Sequence, residues 1–201
     1  MSSLEDSSKI FRYHRDQMRV HGTGNPLALG WKNPNEQMIR FEVLAQMADL
    51  NGKKVLDAGC GHADLYPFLK ERYPQMAHYC GVEQIPELVK EAMRRYQSSP
   101  DTSFLPRSFL HGYLPVSDYV FACGSLSYRS SKPGFIFDAI KRLYGACISG
   151  LAFNLLKYMP ADETLVAYDP ENIISHCRTL SNNVVLKEDY DAADFTVFIY
   201  K

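Results

Sequence analysis

The chain has 201 residues, of which 46% are hydrophobic, and its formal net charge is −1. This length and composition fit one globular domain with a substantial core, so we expect a single domain over residues 1–201. Charges of both signs are mixed along the chain and provide no basic field for a nucleic-acid backbone, so no nucleic-acid partner is expected.

The cysteines and the N-terminal sequence bear on the compartment. The five cysteines occur singly and without a CxxC pair, which is typical of reduced thiols in the cytoplasm. The start "MSSLEDSSKIF" carries acids and serines instead of a signal peptide's basic and apolar regions, and no 18-residue apolar run occurs. We therefore expect a cytoplasmic protein without a membrane partner. Two isolated Cys/His pairs fall short of a four-ligand zinc site, so no metal is expected.

The first elements in chain order are two helices joined by a loop. Residues 1–6 are predicted to be disordered, and Ser7 can cap a helix over residues 8–20. One face of this helix carries Ile10, Phe11, His14 and Met18. Residues 21–33 are rich in glycine and asparagine but also hold apolar side chains, which predicts an ordered, packed loop. Pro34 opens a second helix that extends to about residue 49.

Apolar runs of strand length then alternate with segments of helical period. The strand-like runs are "KVLDAG", "HYCGVE", "TSFLPR", "DYVFACG" and "CISGLAFNLL", and helices are predicted at 63–72, 86–97, 133–145 and 170–181. Such alternation predicts a parallel sheet with helices on both faces. Residues 107–116 are barely long enough for a crossover helix, so a loop or one turn is expected there. The final runs "NVVLKEDY" and "DFTVFIY" are too close for a crossover and predict an antiparallel hairpin.

The stretch "VLDAGCGHADLY" at residues 55–66 places a Gly-x-Gly turn between a strand and a helix, where backbone can approach a ligand closely. A dinucleotide turn needs a third glycine, but Asp64 stands there and would repel a pyrophosphate. A phosphate-binding P-loop needs a lysine, which residues 59–66 lack. Acids end two successive strands, Asp57 and Glu83, and such acids accept hydrogen bonds from ribose hydroxyls. We therefore expect an adenosine-containing ligand.

At this point the chain resembles the class I S-adenosylmethionine-dependent methyltransferases, whose first motif hh(D/E)hGxGxG reads "VLDAGCGHA" here. The resemblance covers residues 31–201 and implies a Rossmann-like, mostly parallel seven-stranded sheet with an antiparallel C-terminal hairpin. It implies S-adenosylmethionine as cofactor and S-adenosylhomocysteine as product. By this resemblance Asp57 orients the methionine amino group and Glu83 binds the ribose, while Gln84 and Ile85 flank the adenine. Within the family the chain is similar to small stand-alone bacterial proteins with unassigned substrates.

The resemblance also defines contacts at the ends of the third and fourth strands. Ser108 stands where the family commonly has an adenine-binding aspartate, so Ser108 or the backbone of Phe109 is expected to substitute. Cys123 and Gly124 end the fourth strand and would offer carbonyls to the methionine ammonium. We add the hypothesis that Arg40 binds the cofactor carboxylate, which suits a guanidinium. The predicted cofactor-binding residues are thus Arg40, Asp57, Ala58, Gly59, Cys60, Gly61, Glu83, Gln84, Ile85, Ser108, Phe109, Cys123 and Gly124.

The segment before the core, residues 1–33, forms an N-terminal helix and a lid-like segment in this interpretation, and residues 34–201 form the core. Tyr13, Trp31 and Tyr128 are predicted walls of the substrate pocket. His111 and Tyr128 are candidate general bases, since each lies on a loop beyond a strand's carboxyl end. His62 is interpreted as a solvent-facing residue at a helix start, without a catalytic role.

The acceptor is expected to be a small molecule. "CGSLSYRS" follows the fourth strand in place of the Asn/Asp-Pro-Pro-Tyr sequence of many nucleic-acid and protein amino-group methyltransferases. Loops at about 124–133 and 157–169 are expected to shape the acceptor pocket. The protein is expected to be a monomer or a homodimer. Two alternatives stay open at this point: a non-catalytic binding module of the same fold, and a nicotinamide-dependent oxidoreductase.

Overall fold

A computed structural model describes residues 4–159 and 164–201. Its centre is a seven-stranded sheet in the order β3-β2-β1-β4-β5-β7-β6. The strands are β1 Lys54–Ala58, β2 His78–Glu83, β3 Thr102–Pro106, β4 Ser117–Ala122, β5 Cys147–Leu156, β6 Val184–Lys187 and β7 Asp194–Tyr200. β1 to β5 are parallel, and β7 runs antiparallel between β5 and β6. The predicted fold class, including the C-terminal hairpin, is confirmed.

Six α-helices surround the sheet in the described part of the chain. They are α1 Leu4–His21, α2 Pro34–Leu44, α3 Leu65–Arg72, α4 Pro86–Tyr96, α5 Phe135–Gly145 and α6 Pro170–Arg178, with short 3-10 turns at Pro26–Leu29 and Ala45–Met47. Capping explains where α2 begins, because Asn33 Oδ1 accepts from the Glu36 amide at 3.0 Å and Pro34 follows the cap. Asp169 caps α6 in the same way, accepting from the Glu171 amide at 3.1 Å.

Hydrophobic clusters cover both faces of the sheet because successive strand residues point to opposite sides. Leu56 of β1 and Val120 of β4 face the side covered by α5 and α6, where Phe153 of β5 is also fully buried. Val55 and Phe121 face the side covered by α2, α3 and α4. Asp57 has the same strand parity as Val55, so its carboxyl is on the α2 side of the sheet.

The N-terminal segment has its own small hydrophobic cluster. Met18 of α1 and Ala28 of the first 3-10 turn pack against Ile85 and Leu88 at the start of α4. This contact seats the segment over the carboxyl ends of β1 and β2, above the Gly-x-Gly turn.

Several predicted boundaries differ from the structure. α1 begins at Leu4, so residues 4–6 are helical, and the prediction for residues 1–3 falls outside the described residues. The reason is tertiary: Asp6 is buried, and its Oδ2 accepts from the Ser130 hydroxyl at 3.0 Å. α2 ends at Leu44, earlier than predicted, and a 3-10 turn continues it. Residues 107–116 contain turns and no helix, as predicted. Residues 160–163 of the predicted loop 157–169 are outside the described residues.

Candidate active site

The Gly-x-Gly turn after β1 is held against two neighbouring strands. The Gly59 amide donates to the Val82 carbonyl of β2 at 2.8 Å, and the Ser125 hydroxyl donates to the Ala58 carbonyl at 2.6 Å. Gly59 has φ +82°, and a Cβ there would overlap the Ser125 side chain. Only glycine therefore fits, because both the left-handed backbone and the close approach exclude a side chain.

Asp57 ends β1 as a buried carboxyl with one oxygen engaged. The Tyr79 hydroxyl donates to its Oδ2 at 2.5 Å. Its Oδ1 is buried and has no hydrogen-bond partner among the residues that the structure describes. Burial raises the pKa of Asp57 to about 7. An acid of this kind is prepared to accept a hydrogen bond from a cation, since a positive ligand would stabilise its charged form.

Glu83 ends β2 and joins two loops of the site. Its Oε2 accepts from the Gly61 amide at 3.1 Å, and its Oε1 accepts from the Ile85 amide at 2.7 Å. Burial raises the pKa of this carboxyl, opposed by those backbone N–H groups. Each oxygen retains a second lone pair, so a ligand hydroxyl can be accepted without loss of these bonds.

These groups face a cleft of about 980 Å³, counted with the space at its open mouth. The N-terminal segment forms its outer wall, contributing Asp6, Ile10, His14, Leu29 and Trp31. Leu29 Cδ2 lies 2.8 Å from the position of a Cβ on Gly61, and Trp31 Cη2 lies 2.5 Å from one on Gly124. The segment thus covers the glycine turns directly.

Most predicted cofactor-binding residues line this one cleft. They are Asp57, Gly59, Cys60, Gly61, Glu83, Gln84, Ile85, Phe109, Cys123 and Gly124, and two predicted pocket residues, Trp31 and Tyr128, line it with them. They converge because the carboxyl ends of β1, β2 and β4 lie at one edge of the sheet, where the strand order changes direction beside β1.

The other predicted residues lie elsewhere. Ala58 is buried in the sheet and takes part through its carbonyl. Ser108 Oγ accepts from the Leu110 amide at 3.2 Å, a local turn contact. His111 is exposed on the loop before β4. Tyr13 and Arg40 line a second, adjoining cavity.

Arg40 is paired with carboxylates of its own chain. Its guanidinium makes a buried ion pair with Asp194 and lies 3.4 Å from Glu36 Oε1. The same group stacks over the Trp31 ring at 4.7 Å from the centroid. The hypothesis that Arg40 holds a cofactor carboxylate stays a prediction, and in the structure its planar face and two of its amino groups are already engaged.

The prediction that His62 faces solvent is wrong. The side chain is fully buried, and neither ring nitrogen has a hydrogen-bond partner within the described chain. Burial lowers its pKa, so the ring is neutral at pH 7. The helix that His62 was expected to begin starts at Leu65, and the N-terminal segment covers this region.

The second cavity measures about 1,110 Å³ with its open mouth and adjoins the first. The two cavities share Leu29, Trp31, Gly124 and Tyr128 as wall residues. Its other walls mix apolar and polar side chains, including Lys32, Asn154, Leu155, Tyr158 and Met159. Tyr128 therefore lies at the junction of the two spaces.

The wall residues that were not predicted as site residues from the sequence include His14, Asp64 and Ser125. His14 Nε2 lies 2.6 Å from the Tyr128 hydroxyl, and the apolar face of the first helix already carried this histidine. Asp64 forms an ion pair with Arg95 at 2.7 Å, which no local pattern shows. Ser125 anchors the glycine turn from the loop after β4. Contacts between distant segments define all three.

Relatives in sequence carry methyltransferase names. No protein-family model matches the chain. It is 27% identical over 155 residues to a Mycobacterium tuberculosis protein named a methyltransferase, Rv1506c, covering 72% of this chain and 91% of that protein. It is also 29% identical over 97 residues to trans-aconitate 2-methyltransferase of Afipia carboxidovorans, covering 43% of this chain and 36% of that enzyme.

Solved structures extend the similarity to the whole fold. Magnesium protoporphyrin IX methyltransferase from Synechocystis, solved with S-adenosylmethionine, matches with TM-score 0.71 at 16% identity, covering 100% of this chain and 99% of that chain. The N-methyltransferase NodS from Bradyrhizobium japonicum, solved with S-adenosylhomocysteine, matches with TM-score 0.67 at 16% identity over 94% of this chain and 98% of that one. The chain has the class I methyltransferase fold, and the resemblance drawn from its first motif is confirmed.

Neither a cluster of metal ligands nor a membrane-spanning helix occurs among the described residues. No three His, Cys, Asp or Glu side chains in residues 4–159 and 164–201 converge as metal ligands. Over the same residues, no helix has both the length and the apolar character needed to cross a membrane.

Proposed function

We propose that this protein transfers a methyl group from S-adenosylmethionine to a small-molecule acceptor. The observation that carries the proposal is Asp57, whose unpartnered Oδ1 is buried at a cleft beside a Gly-x-Gly turn, with Glu83 at the next strand end. The cofactor combines a methionine ammonium, a sulfonium and an adenosine, so it offers a cation to the first acid and ribose hydroxyls to the second. The methyltransferase names of the relatives support the same conclusion.

Different residues would bind different parts of the cofactor. Asp57 would hold the ammonium through Oδ1, and Glu83 would accept from the ribose with the lone pairs that its backbone contacts leave. Ile85 and Phe109, both buried at the cleft wall, would enclose the adenine. Ser108 Oγ accepts from the Leu110 amide, and its O–H and second lone pair stay available for an adenine contact.

The sulfonium supplies an activated methyl group, so the chain's contribution is alignment and exclusion of water. The N-terminal segment provides the exclusion, since Leu29 and Trp31 cover the glycine turns. The loop after β4 provides the alignment, because Gly124 and Tyr128 border both cavities. The second cavity would hold the acceptor.

The walls of the second cavity fit a small or medium metabolite. Arg40 and Lys32 are balanced there by Glu36 and Asp194, so the cavity carries no excess of one charge. The related enzymes are named for different acceptors, trans-aconitate and magnesium protoporphyrin IX. The fold therefore does not determine the acceptor, and the side chains that line the cavity do.

Calorimetric titration with S-adenosylmethionine tests this function. We expect saturable binding by the wild type, weakened at least about tenfold by Glu83→Gln, because loss of a charged hydrogen-bond acceptor costs about 1.5–3 kcal/mol. Glu71→Gln, an exposed acid on α3, is the matched control and should bind like wild type. Absence of binding at millimolar cofactor would overturn the proposal, and binding without any methyl transfer would identify a non-catalytic module. NADH fluorescence enhancement would instead favour an oxidoreductase.

A further inference from the structure

His14 and Tyr128 form a buried pair at the junction of the two cavities. His14 Nε2 lies 2.6 Å from the Tyr128 hydroxyl, although the residues are 114 positions apart in the chain. His14 is 5% exposed, and both residues line the cleft of the Gly-x-Gly turn. Tyr128 also lines the second cavity. The pair therefore connects the acceptor space with the N-terminal helix.

The direction of the hydrogen bond follows from the second ring nitrogen. His14 Nδ1 lies 3.4 Å from the Ala28 carbonyl, which can only accept, so Nδ1 carries the proton. In a neutral imidazole the other nitrogen is then an acceptor, and Tyr128 donates to it. The phenolic oxygen keeps its lone pairs for a donor that enters the junction.

We propose that Tyr128 and His14 accept the proton of the methyl acceptor, and that the acceptor is a hydroxyl or amine compound. This inference rests on the proposed function. The phenolic oxygen of Tyr128 takes the proton from the acceptor's O–H or N–H while Tyr128 passes its own proton to His14 Nε2. The acceptor's lone pair forms the new bond to the methyl carbon, the C–S bond breaks, and its electron pair remains on sulfur as a neutral thioether.

The charge balance of the cavity favours this route. Burial lowers the pKa of His14 to about 4, so the ring is neutral before reaction. Transfer removes the positive charge of the sulfonium while His14 gains one, so the number of positive charges inside the cleft does not change. His14 later releases the proton to solvent when the products leave. Desolvation that opposes a charged His14 in the free protein is thus offset during the reaction.

Among the described contacts, no carboxylate touches His14 or Tyr128. No carboxylate in contact with the pair therefore takes the proton first. The ring of Tyr13 lies edge-on to both rings, with its centroid 5.1 Å from that of His14 and 6.5 Å from that of Tyr128. His62 affects His14 only through its charge as a nearby titratable group. Glu83 affects Tyr128 in the same way. Burial also raises the pKa of Tyr128, so it stays protonated until His14 takes its proton.

Methyl-labelled cofactor tests the inference for any acceptor compound. Wild-type protein is incubated with S-adenosylmethionine carrying a 13C methyl group and a protein-free metabolite extract, and the carbon chemical shift of the product reports the methylated atom. We expect a methyl ether or an N-methyl group. A thioether or a methyl ester overturns the inference, because thiolate and carboxylate acceptors need no proton transfer at this step.

Variants then separate proton transfer from packing. His14→Gln keeps an amide oxygen that accepts from Tyr128 but cannot take the proton, and Tyr128→Phe keeps the ring. We expect each to lower kcat at least about 100-fold with the cofactor KM within about threefold, and the double variant to be no slower than the slower single. His21→Gln on the same helix and Tyr113→Phe on an exposed loop are the controls, and should keep wild-type rates.

The outcomes distinguish this inference from the proposed function. Absence of cofactor binding in the wild type overturns the function itself. Methyl transfer that His14→Gln leaves at the wild-type rate overturns only the role of the pair. A wild type that binds the cofactor but labels no product contradicts both.

Discussion

At the scale of one residue, burial changes the titration of Asp57. Its folded-state pKa of about 7 lies above the ordinary value of 3.8, so the free protein carries the proton over a pH range where an exposed aspartate would be charged. The stability contributed by the protonated acid is fully present below pH 3.8 and is lost as the pH rises through about 7. A ligand ammonium at Oδ1 would reverse this preference.

We predict that cofactor binding releases a proton from Asp57. Because the ammonium stabilises the carboxylate, the bound-state pKa falls, and up to about one proton should leave on binding between about pH 5 and 6. Calorimetry in two buffers of different ionisation enthalpy measures this number. Asp57→Asn should bind more weakly and release correspondingly fewer protons. A wild-type binding heat that does not depend on the buffer would contradict the prediction.

At the scale of elements, the turn after β1 combines two demands on one residue. Gly59 needs a positive φ, and its Cα faces the Ser125 side chain of the loop after β4. Gly52, in the turn before β1, has φ +71° but nothing within 4 Å of an added Cβ. A side chain at Gly52 would therefore meet backbone strain alone, whereas one at Gly59 would meet both backbone strain and steric overlap.

We predict that Gly52→Ala destabilises the fold by about 1 kcal/mol, the cost of a left-handed alanine. Gly59→Ala should cost about 3 kcal/mol or more, because Ser125 cannot move without loss of its hydrogen bond to Ala58. Urea unfolding measures both values. Equal costs for the two variants would show that the loop after β4 yields easily and that the turn is less tightly packed than its distances indicate.

The N-terminal helix is the second element whose attachment matters. Asp6 Oδ2 accepts from the hydroxyls of Ser130 and Ser131, each at 3.0 Å, so the start of α1 is tied to the loop before α5. Asp6 and Ser130 both line the cleft that Glu83 also lines.

We predict that Asp6→Ala speeds amide hydrogen exchange in residues 4–21 about fivefold or more, since about 1 kcal/mol of hydrogen bonding is lost there. Asp16→Ala is the control on the same helix, because Asp16 is exposed and pairs only locally with Arg19 in the described ion pairs. Hydrogen exchange read by mass spectrometry compares the two. Equal exchange rates would mean that the hydrophobic cluster around Met18 alone holds the helix.

At the scale of the whole molecule, Arg40 and Asp194 join α2 to the last strand of the sheet. Their side chains are 4% and 2% exposed, so both charges are removed from water and compensate each other. Both residues also line the second cavity. Loss of either partner leaves an uncompensated charge in the interior.

We predict that Arg40→Met lowers the free energy of unfolding by about 3–5 kcal/mol. The control is Arg72→Met, whose ion pair with Glu42 is about half exposed and should contribute less than about 1 kcal/mol. Chemical denaturation measures both, and the double variant Arg40→Met, Asp194→Leu should recover part of the loss. An equal effect of Arg40→Met and Arg72→Met would show that water reaches the buried pair.

Much of the fold could be predicted because its information is periodic and local. Alternation with period two and 3.6 identified the parallel sheet and the hairpin, and the short spacing of residues 107–116 favoured a loop or one turn over a crossover helix. Element boundaries were less accurate. α1 starts early because Asp6 meets Ser130 and Ser131, a contact across 124 and 125 positions that no local pattern contains.

The candidate site likewise has features that the sequence predicts and features that only the tertiary structure decides. The sequence by itself determined that Asp57, the glycine turn and Glu83 lie at strand ends, and parallel strands bring such ends to one edge. The tertiary structure alone decided that His14 reaches Tyr128, that Arg40 pairs with Asp194, and that His62 is buried. The physical reason is that these contacts depend on how the N-terminal segment packs over the sheet, and side-chain spacing along the chain does not encode that path.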